Sequence, residues 1–309
     1  MANVLGIIRN KASGVAGAVE LFINNVKQTQ YKRVDLTNSL GKEVSTLPYA
    51  FIQGNAVVYN NEIHILGSSV SGNRKKHYKW DGSNWSSVST LPYDFYDGGA
   101  VVYNNEIHIL GSSVSGNRKK HYKWNGSNWS SVSTLPYDFK DGGTVVYNNE
   151  IHILGSDVSG SQKKHYKWNG SNWSSVSTLP YDFFWGSTVV YNNGINILAG
   201  YGSSQKHYKW DGSNWSSVST LPYSCVTKNT VVYKNKMHLL GSNVEESYRN
   251  HYKWGGSNWS SVSTLPYNLT NGGRSLVYNN EIHIFGSSFD TANTLLHYRL
   301  PEEYLVYLS

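Results

Sequence analysis

The chain has 309 residues, of which 39% are hydrophobic and 14% aromatic, with a formal charge of +7 and a single cysteine. One cysteine excludes an internal disulfide framework, no stretch approaches a membrane span, and a charge of this size does not by itself indicate nucleic acid. The 11 tryptophans and 24 tyrosines bury a large area each, so a substantial core is available despite only two methionines.

At the start, the apolar run Val4-Leu5-Gly6-Ile7-Ile8 is too short for a signal peptide's apolar region, and the expected site of synthesis is a cytoplasm. Further on, Val15, Val19, Phe22 and Val26 could line a helix face, a reading that Gly14 and Gly17 weaken. The alternative is a hairpin, Val19 to Ile23, a turn at Asn24-Asn25, then Val26 to Gln30. Asparagine tolerates the positive φ that tight hairpins need, and the hairpin is preferred. Residues 1–30 are therefore set apart as an N-terminal extension, with residues 31–309 as the main domain. Gly41 to Pro48 matches the end of a repeat whose beginning is missing.

From there Leu-Pro-Tyr recurs at Leu47, Leu91, Leu135, Leu179, Leu221 and Leu265, at intervals of 44, 44, 44, 42 and 44 residues. Self-similarity at this period marks a repeat architecture. Each copy reads as four short strands. Ala56 to Tyr59 and Ile63 to Leu66 form one β-branched hairpin. His77 to Trp80 and Trp85 to Ser89 form another, with a tight turn at Asp81-Gly82-Ser83-Asn84. No copy shows a helical period. Every proline begins or closes a copy, so none interrupts a strand. Six four-stranded units predict an all-β, six-bladed β-propeller. The sixth copy lacks its tryptophan and Val-Ser-Thr strand, and the orphan Val44-Ser45-Thr46, around 41–46, supplies it and closes the ring without a free edge. The tail 301–309 competes for that edge or packs elsewhere. Trp85 and its copies are expected to be buried between blades.

The second strand ends in Gly67-Ser68, Gly111-Ser112 and Gly155-Ser156, with Ala199-Gly200 in the fourth copy, and Trp80 and Trp85 follow at the aromatic and tryptophan positions. This pattern resembles kelch repeats over about five-sixths of the chain, although the kelch glycine pair is reduced to one glycine. The wording of the repeats also resembles kelch-type proteins encoded with phage and prophage tail genes. The resemblance implies a binding scaffold more often than an enzyme, and fold alone does not decide function.

Several chemical candidates are weighed on the residues. The eleven histidines fall into two columns, His64, His108, His152, His238 and His283 on second strands and His77, His121, His165, His207, His251 and His297 on third strands. Copies in different blades lie apart, so no metal site is expected and the histidines are read as structural or solvent-facing. Cys225 is read as a packed thiol, without the histidines that copper oxidases resembling galactose oxidase would bring. Kelch-type sialic-acid epimerases work outside the cytoplasm, and this chain shows no export signal. Asp81-Gly82-Ser83-Asn84-Trp85 has the wrong spacing for a sialidase Asp-box and is read as a turn. Arg74-Lys75-Lys76 and Arg118-Lys119-Lys120 are solvated loop charges, too short for a nucleic-acid arm.

The copies differ mainly in two loops, which alternating strands place on one face of the ring. Loops on a rigid scaffold are the usual carriers of function. The first loop enters the inner strand, and its aromatic and charged residues Tyr96, Asp97, Lys140, Asp141, Phe184 and Trp185 are the expected ligand-binding set. Catalytic residues, metals and cofactors are expected to be none. The chain is read as a non-catalytic module in a phage or phage-derived tail, meeting a cell-surface glycan or protein receptor through the loop face. Residues 1–30 would meet other tail proteins, with no membrane insertion. An intracellular protein–protein scaffold and a carbohydrate-active kelch enzyme are the alternatives.

Overall fold

The computed structural model describes residues 6–10, 19–23, 26–27, 41–202, 205–270, 272–287 and 294–300. The chain divides into two compact units. Within the smaller, Gly6–Asn10, Val19–Ile23 and Val26–Lys27 form an antiparallel sheet with Ile7 opposite Phe22 and Ile23 opposite Val26. The turn at Asn24-Asn25 and the tail 301–309 lie outside the described residues. The larger unit is Leu40–Leu300.

This larger unit is a six-bladed β-propeller whose blades are antiparallel four-stranded sheets. The second blade shows the plan. Gly99–Tyr103 pairs with Glu106–Leu110, which pairs with His121–Trp124, which pairs with Trp129–Ser131. The inner strand alternates buried and half-buried residues, the period-2 pattern of a strand with one packed face. The second strand is buried on both faces after Glu106. The tight turn between them puts Asn104 and Asn105 at φ of 48° and 58°, the left-handed region that a two-residue hairpin needs. The inner strands Asn55–Tyr59, Gly99–Tyr103, Gly143–Tyr147, Ser187–Val190, Thr230–Tyr233 and Arg274–Tyr278 lie each against the next, and the sixth against the first. In the last blade Lys42–Thr46 is the outermost strand, with Leu296 opposite Thr46 and His297 opposite Ser45.

Among the described residues there is no single core. Apolar side chains gather in six seams, each shared by two neighbouring blades. One joins Val101, Tyr103 and Leu110 to Leu135, Phe139, Ile151 and Trp168, and another joins Leu276 and Phe285 to Phe51, Ile63 and Trp80 across the closure. The seams are close enough to dictate glycine. Gly67 has φ of +64°, and a Cβ there would collide with the Phe95 carbonyl of the next blade.

These seams correct one expectation and decide another. The buried tryptophans are Trp80, Trp124, Trp168, Trp210 and Trp254. Trp85 and its copies are half-buried on outer strands, and each indole N–H donates to a serine of the preceding blade, as Trp129 Nε1 does to Ser89 Oγ at 3.1 Å. The histidines are not solvent-facing. Their two columns meet inside each blade, with Nδ1 to Nε2 distances of 2.8 Å for His64–His77 and His108–His121 and 2.9 Å for His152–His165. His77 also packs edge-on against Trp124 and Trp129 of the next blade. Burial disfavours the charged ring, and pushes His108 down to about 4 and His121 to about 3. In the fourth blade Asn196 Oδ1 takes the partner's place, 3.0 Å from His207 Nε2. Among the described residues no group of three or more metal-ligating side chains forms, and no helix is long and apolar enough to cross a membrane.

Candidate functional site

The two variable loops are held together by one repeated backbone bond. Ser69, Ser113, Asp157, Tyr201 and Asn243, in the loop between second and third strands, donate their N–H to the carbonyls of Ile52, Tyr96, Lys140, Phe184 and Val226 at 2.8–3.1 Å. Each of these five blades thus hangs a pair of side chains on the same rung at the channel mouth. Two of the five pairs match chemically. Lys140 Nζ lies 2.9 Å from Asp157 Oδ2. Phe184 stacks on Tyr201 with centroids 5.5 Å apart and an interplanar angle of 27°, and Trp185 meets both edge-on. Tyr201 is 59% exposed. Tyr96 is half-buried, with the Arg74 guanidinium 5.3 Å from its ring centre.

Below the rungs runs a backbone collar. The N–H of Gln53 donates to Gly272, Asp97 to Gln53, Asp141 to Asp97 and Trp185 to Asp141, at 2.6–2.9 Å. All four have φ between 52° and 59°, a costly conformation for residues with a Cβ, which the blade-to-blade bonds hold in place. The collar turns the Asp97 and Asp141 side chains inward, where they are 4% and 3% exposed. Lys228 reaches them from the fifth blade, with Nζ 3.1 Å from Asp97 Oδ1 and 2.6 Å from Asp141 Oδ1. Arg274, also buried, donates to the Gly273 carbonyl and feels both carboxylates.

Burial pushes Asp97 up to about 6, the Asp141 charge adding to it against the opposing pull of Lys228 and Arg274. Burial pulls Asp141 upward too, but the Lys228 charge and hydrogen bonds from Lys228, Asp97 and the Trp185 indole outweigh it and hold Asp141 below the usual carboxylate range. Asp97 is therefore the first of the pair to take a proton.

The fifth and sixth blades can carry these cations for steric reasons. Lys228 stands in the column of Gly54, Gly98, Gly142, Gly186 and Gly273. A Cβ at Gly98 would lie 2.5 Å from the Phe95 ring and 2.6 Å from the Gly111 carbonyl. In the fifth blade Cys225 replaces that phenylalanine, which removes the ring as one of the two obstacles. Arg274 stands where Gly99 and Gly143 would collide with Thr144 and Thr188 of their neighbours. The corresponding neighbour of Arg274 is Ala56. Cys225 itself is fully buried, its thiol pushed well above its usual range by burial.

Of the six residues expected to meet a ligand, Phe184, Trp185, Tyr96 and Lys140 lie at the mouth. Asp97 and Asp141 lie at the collar, bound to Lys228. Sequence reasoning missed Tyr201, Asp157, Lys228 and Arg274. A signal for the first two existed, because 184 and 201 stand 17 residues apart, as 140 and 157 do. For Lys228 the signal was a charged residue in a glycine column.

No family model matches the chain, and no curated protein matches it. Among solved structures the chain is similar to YjhT, with a TM-score of 0.70 and 14% identity over 82% of this chain and 94% of that one. This likeness is one of fold, and it agrees with a six-bladed propeller made of four-stranded blades.

Proposed function

We propose that the protein is a non-catalytic binding module of kelch type that holds a cell-surface glycan at the loop-face mouth of its channel. The observation that carries this reading is the cluster of Phe184, Trp185 and Tyr201, with Tyr201 exposed on a rigid rung. Aromatic faces of this kind supply stacking area at small entropic cost, and the Lys140–Asp157 pair beside them supplies donors and an acceptor. Matched partners within a rung also argue against drift, because unconstrained loops have no reason to pair lysine with aspartate in one blade and phenylalanine with tyrosine in the next.

The proposed setting is a phage or phage-derived tail particle, where residues 1–30 dock the module and several copies together turn weak contacts into firm attachment. Its support is the resemblance of the repeats to kelch-type proteins encoded with tail genes, and co-purification with tail particles tests it. A carbohydrate-active enzyme is the second reading, favoured by the divergent acidities of Asp97 and Asp141. Burial and Lys228 account for that divergence, and both carboxylates are closed to solvent, so the binding module is preferred. The test is glycan-array and cell attachment. Tyr201→Ala should leave melting unchanged and weaken attachment at least tenfold, about 1.4 kcal/mol. Asn125→Gly and Asn169→Gly, on the turns of the opposite face, should leave attachment intact. The reverse outcome would put the ligand on the other face.

A further inference from the structure

Resting on that reading, we infer that the mouth selects neutral glycans and rejects anionic ones, despite the chain's formal charge of +7. Each of the four cations on the rungs and collar has a carboxylate beside it. Lys140 is bound to Asp157 at 2.9 Å. Arg74 lies over the Tyr96 ring, with Asp94 Oδ2 3.8 Å from its Nη1. Lys228 holds Asp97 and Asp141, and Arg274 is drawn by the same two carboxylates. Four cations thus stand beside four carboxylates. These eight charges sum to zero, and each of the four cations has an anion already in place.

An acidic sugar entering this mouth would meet Lys140 only by approaching Asp157 as well. The attraction of the ammonium would be cancelled by the neighbouring carboxylate, and the sugar's own carboxylate would still have to shed water. The collar charges offer no alternative, because they are buried beneath the rungs. A neutral pyranose faces none of these penalties. Its C–H face can lie on Tyr201 and Phe184, and its hydroxyls can accept from Lys140 Nζ and donate to Asp157 without separating the pair.

Further positive charge lies at the outer ends of the same loops. Lys75, Lys119 and Lys163 are exposed, and their carbonyls receive the N–H groups of Leu91, Leu135 and Leu179, which follow the outer strands. Charges of this kind attract polyanions loosely at low salt and are screened over about 8 Å at physiological ionic strength. Loose attraction and selection at the mouth are therefore separable by salt.

The full chain would be titrated at physiological salt with neutral oligosaccharides and with the same backbones carrying uronic or sialic acid. Neutral members should bind and lose at least tenfold with Tyr201→Ala. Acidic members should bind no better to the native protein than to Tyr201→Ala. Asp157→Asn, a change at a half-exposed rung, frees the Lys140 ammonium and should raise binding of the acidic members several-fold. An acidic oligosaccharide held more tightly than its neutral parent, and lost with Tyr201→Ala, would overturn the selectivity while leaving the site in place. Neutral binding indifferent to Tyr201→Ala, or no binding of either class, would overturn the site and the selectivity with it.

Discussion

The first three blades and the seam between the fourth and fifth are built from the same repeat and solve the same packing problem differently. In blades one to three every seam has a buried phenylalanine, a left-handed glycine beneath it and a hydrogen-bonded histidine pair. At the fourth-to-fifth seam the glycine is Ala199, the phenylalanine is Cys225 and one histidine is Asn196. The same sector carries Tyr201 and Lys228. The difference teaches that a repeat diversifies at its mouth only as far as its seam allows. Lys228 stands three positions from Cys225, where the first four blades have a phenylalanine ring.

Acid should break the regular blades most strongly. Ten of the histidines are buried with acidities pushed down to about 3 or 4, against about 6.5 in an unfolded chain. A depressed histidine contributes stability that is fully present above pH 6.5 and is lost as the pH falls toward 4. Each contributes a slope of up to about 1.4 kcal/mol per pH unit in that window, and ten together exceed the stability of an ordinary domain. The ring should unfold cooperatively between pH 6 and 4.5 by circular dichroism and tryptophan emission. Persistence of the native spectrum at pH 4 would refute this account. His108→Asn, which copies Asn196, should move the acid midpoint downward.

Next in size are substitutions within a regular seam. Trp124, 4% exposed, should lose about 3–5 kcal/mol on conversion to alanine. Trp129→Ala removes a half-buried ring and one hydrogen bond to Ser89, and chemical denaturation should show a distinctly smaller loss. Equal losses would mean that the outer strand is as deeply packed as the third.

Lys228→Met tests the irregular sector. It leaves Asp97 and Asp141 buried without their ammonium, a change that typically costs about 3–5 kcal/mol at neutral pH. The penalty relative to the native protein should shrink toward pH 5, because a carboxyl that takes a proton no longer needs the cation. A difference independent of pH would show that Lys228 acts by packing alone.

Much of this was legible in the sequence. The Leu-Pro-Tyr period and the strand patterns carry the ring, and the missing strand of the last copy points to residues 41–46. Loop comparison finds Phe184, Trp185, Tyr96 and Lys140. What stayed hidden are contacts that depend on register and reach. His108 and His121 meet because Leu110 pairs with His121 across a hairpin, which places two columns face to face that a linear reading keeps apart. Lys228 finds Asp97 across 131 residues, a distance no local pattern encodes. Asp97 and Asp141 read as loop polars, and only the collar's left-handed backbone turns them inward.

The smallest effect is expected where the irregular seam has already compensated. Ala199 has φ of +61°, a conformation that disfavours a Cβ by roughly 1 kcal/mol. Its methyl, however, is fully buried against Cys225 and Leu198, and burying one carbon contributes about 0.8 kcal/mol. The two effects nearly cancel, so Ala199→Gly should shift stability by less than about 0.5 kcal/mol in either direction. Gly111→Ala makes the opposite change in a regular seam, where the new methyl would collide with the Phe139 carbonyl, and should lose about 2–4 kcal/mol from overpacking and strain combined. A large gain from Ala199→Gly would show that the methyl packs poorly and that the fourth seam is merely a damaged copy. Near-neutrality there, beside a marked loss at Gly111, is the outcome expected if Ala199 and Cys225 are fitted to each other.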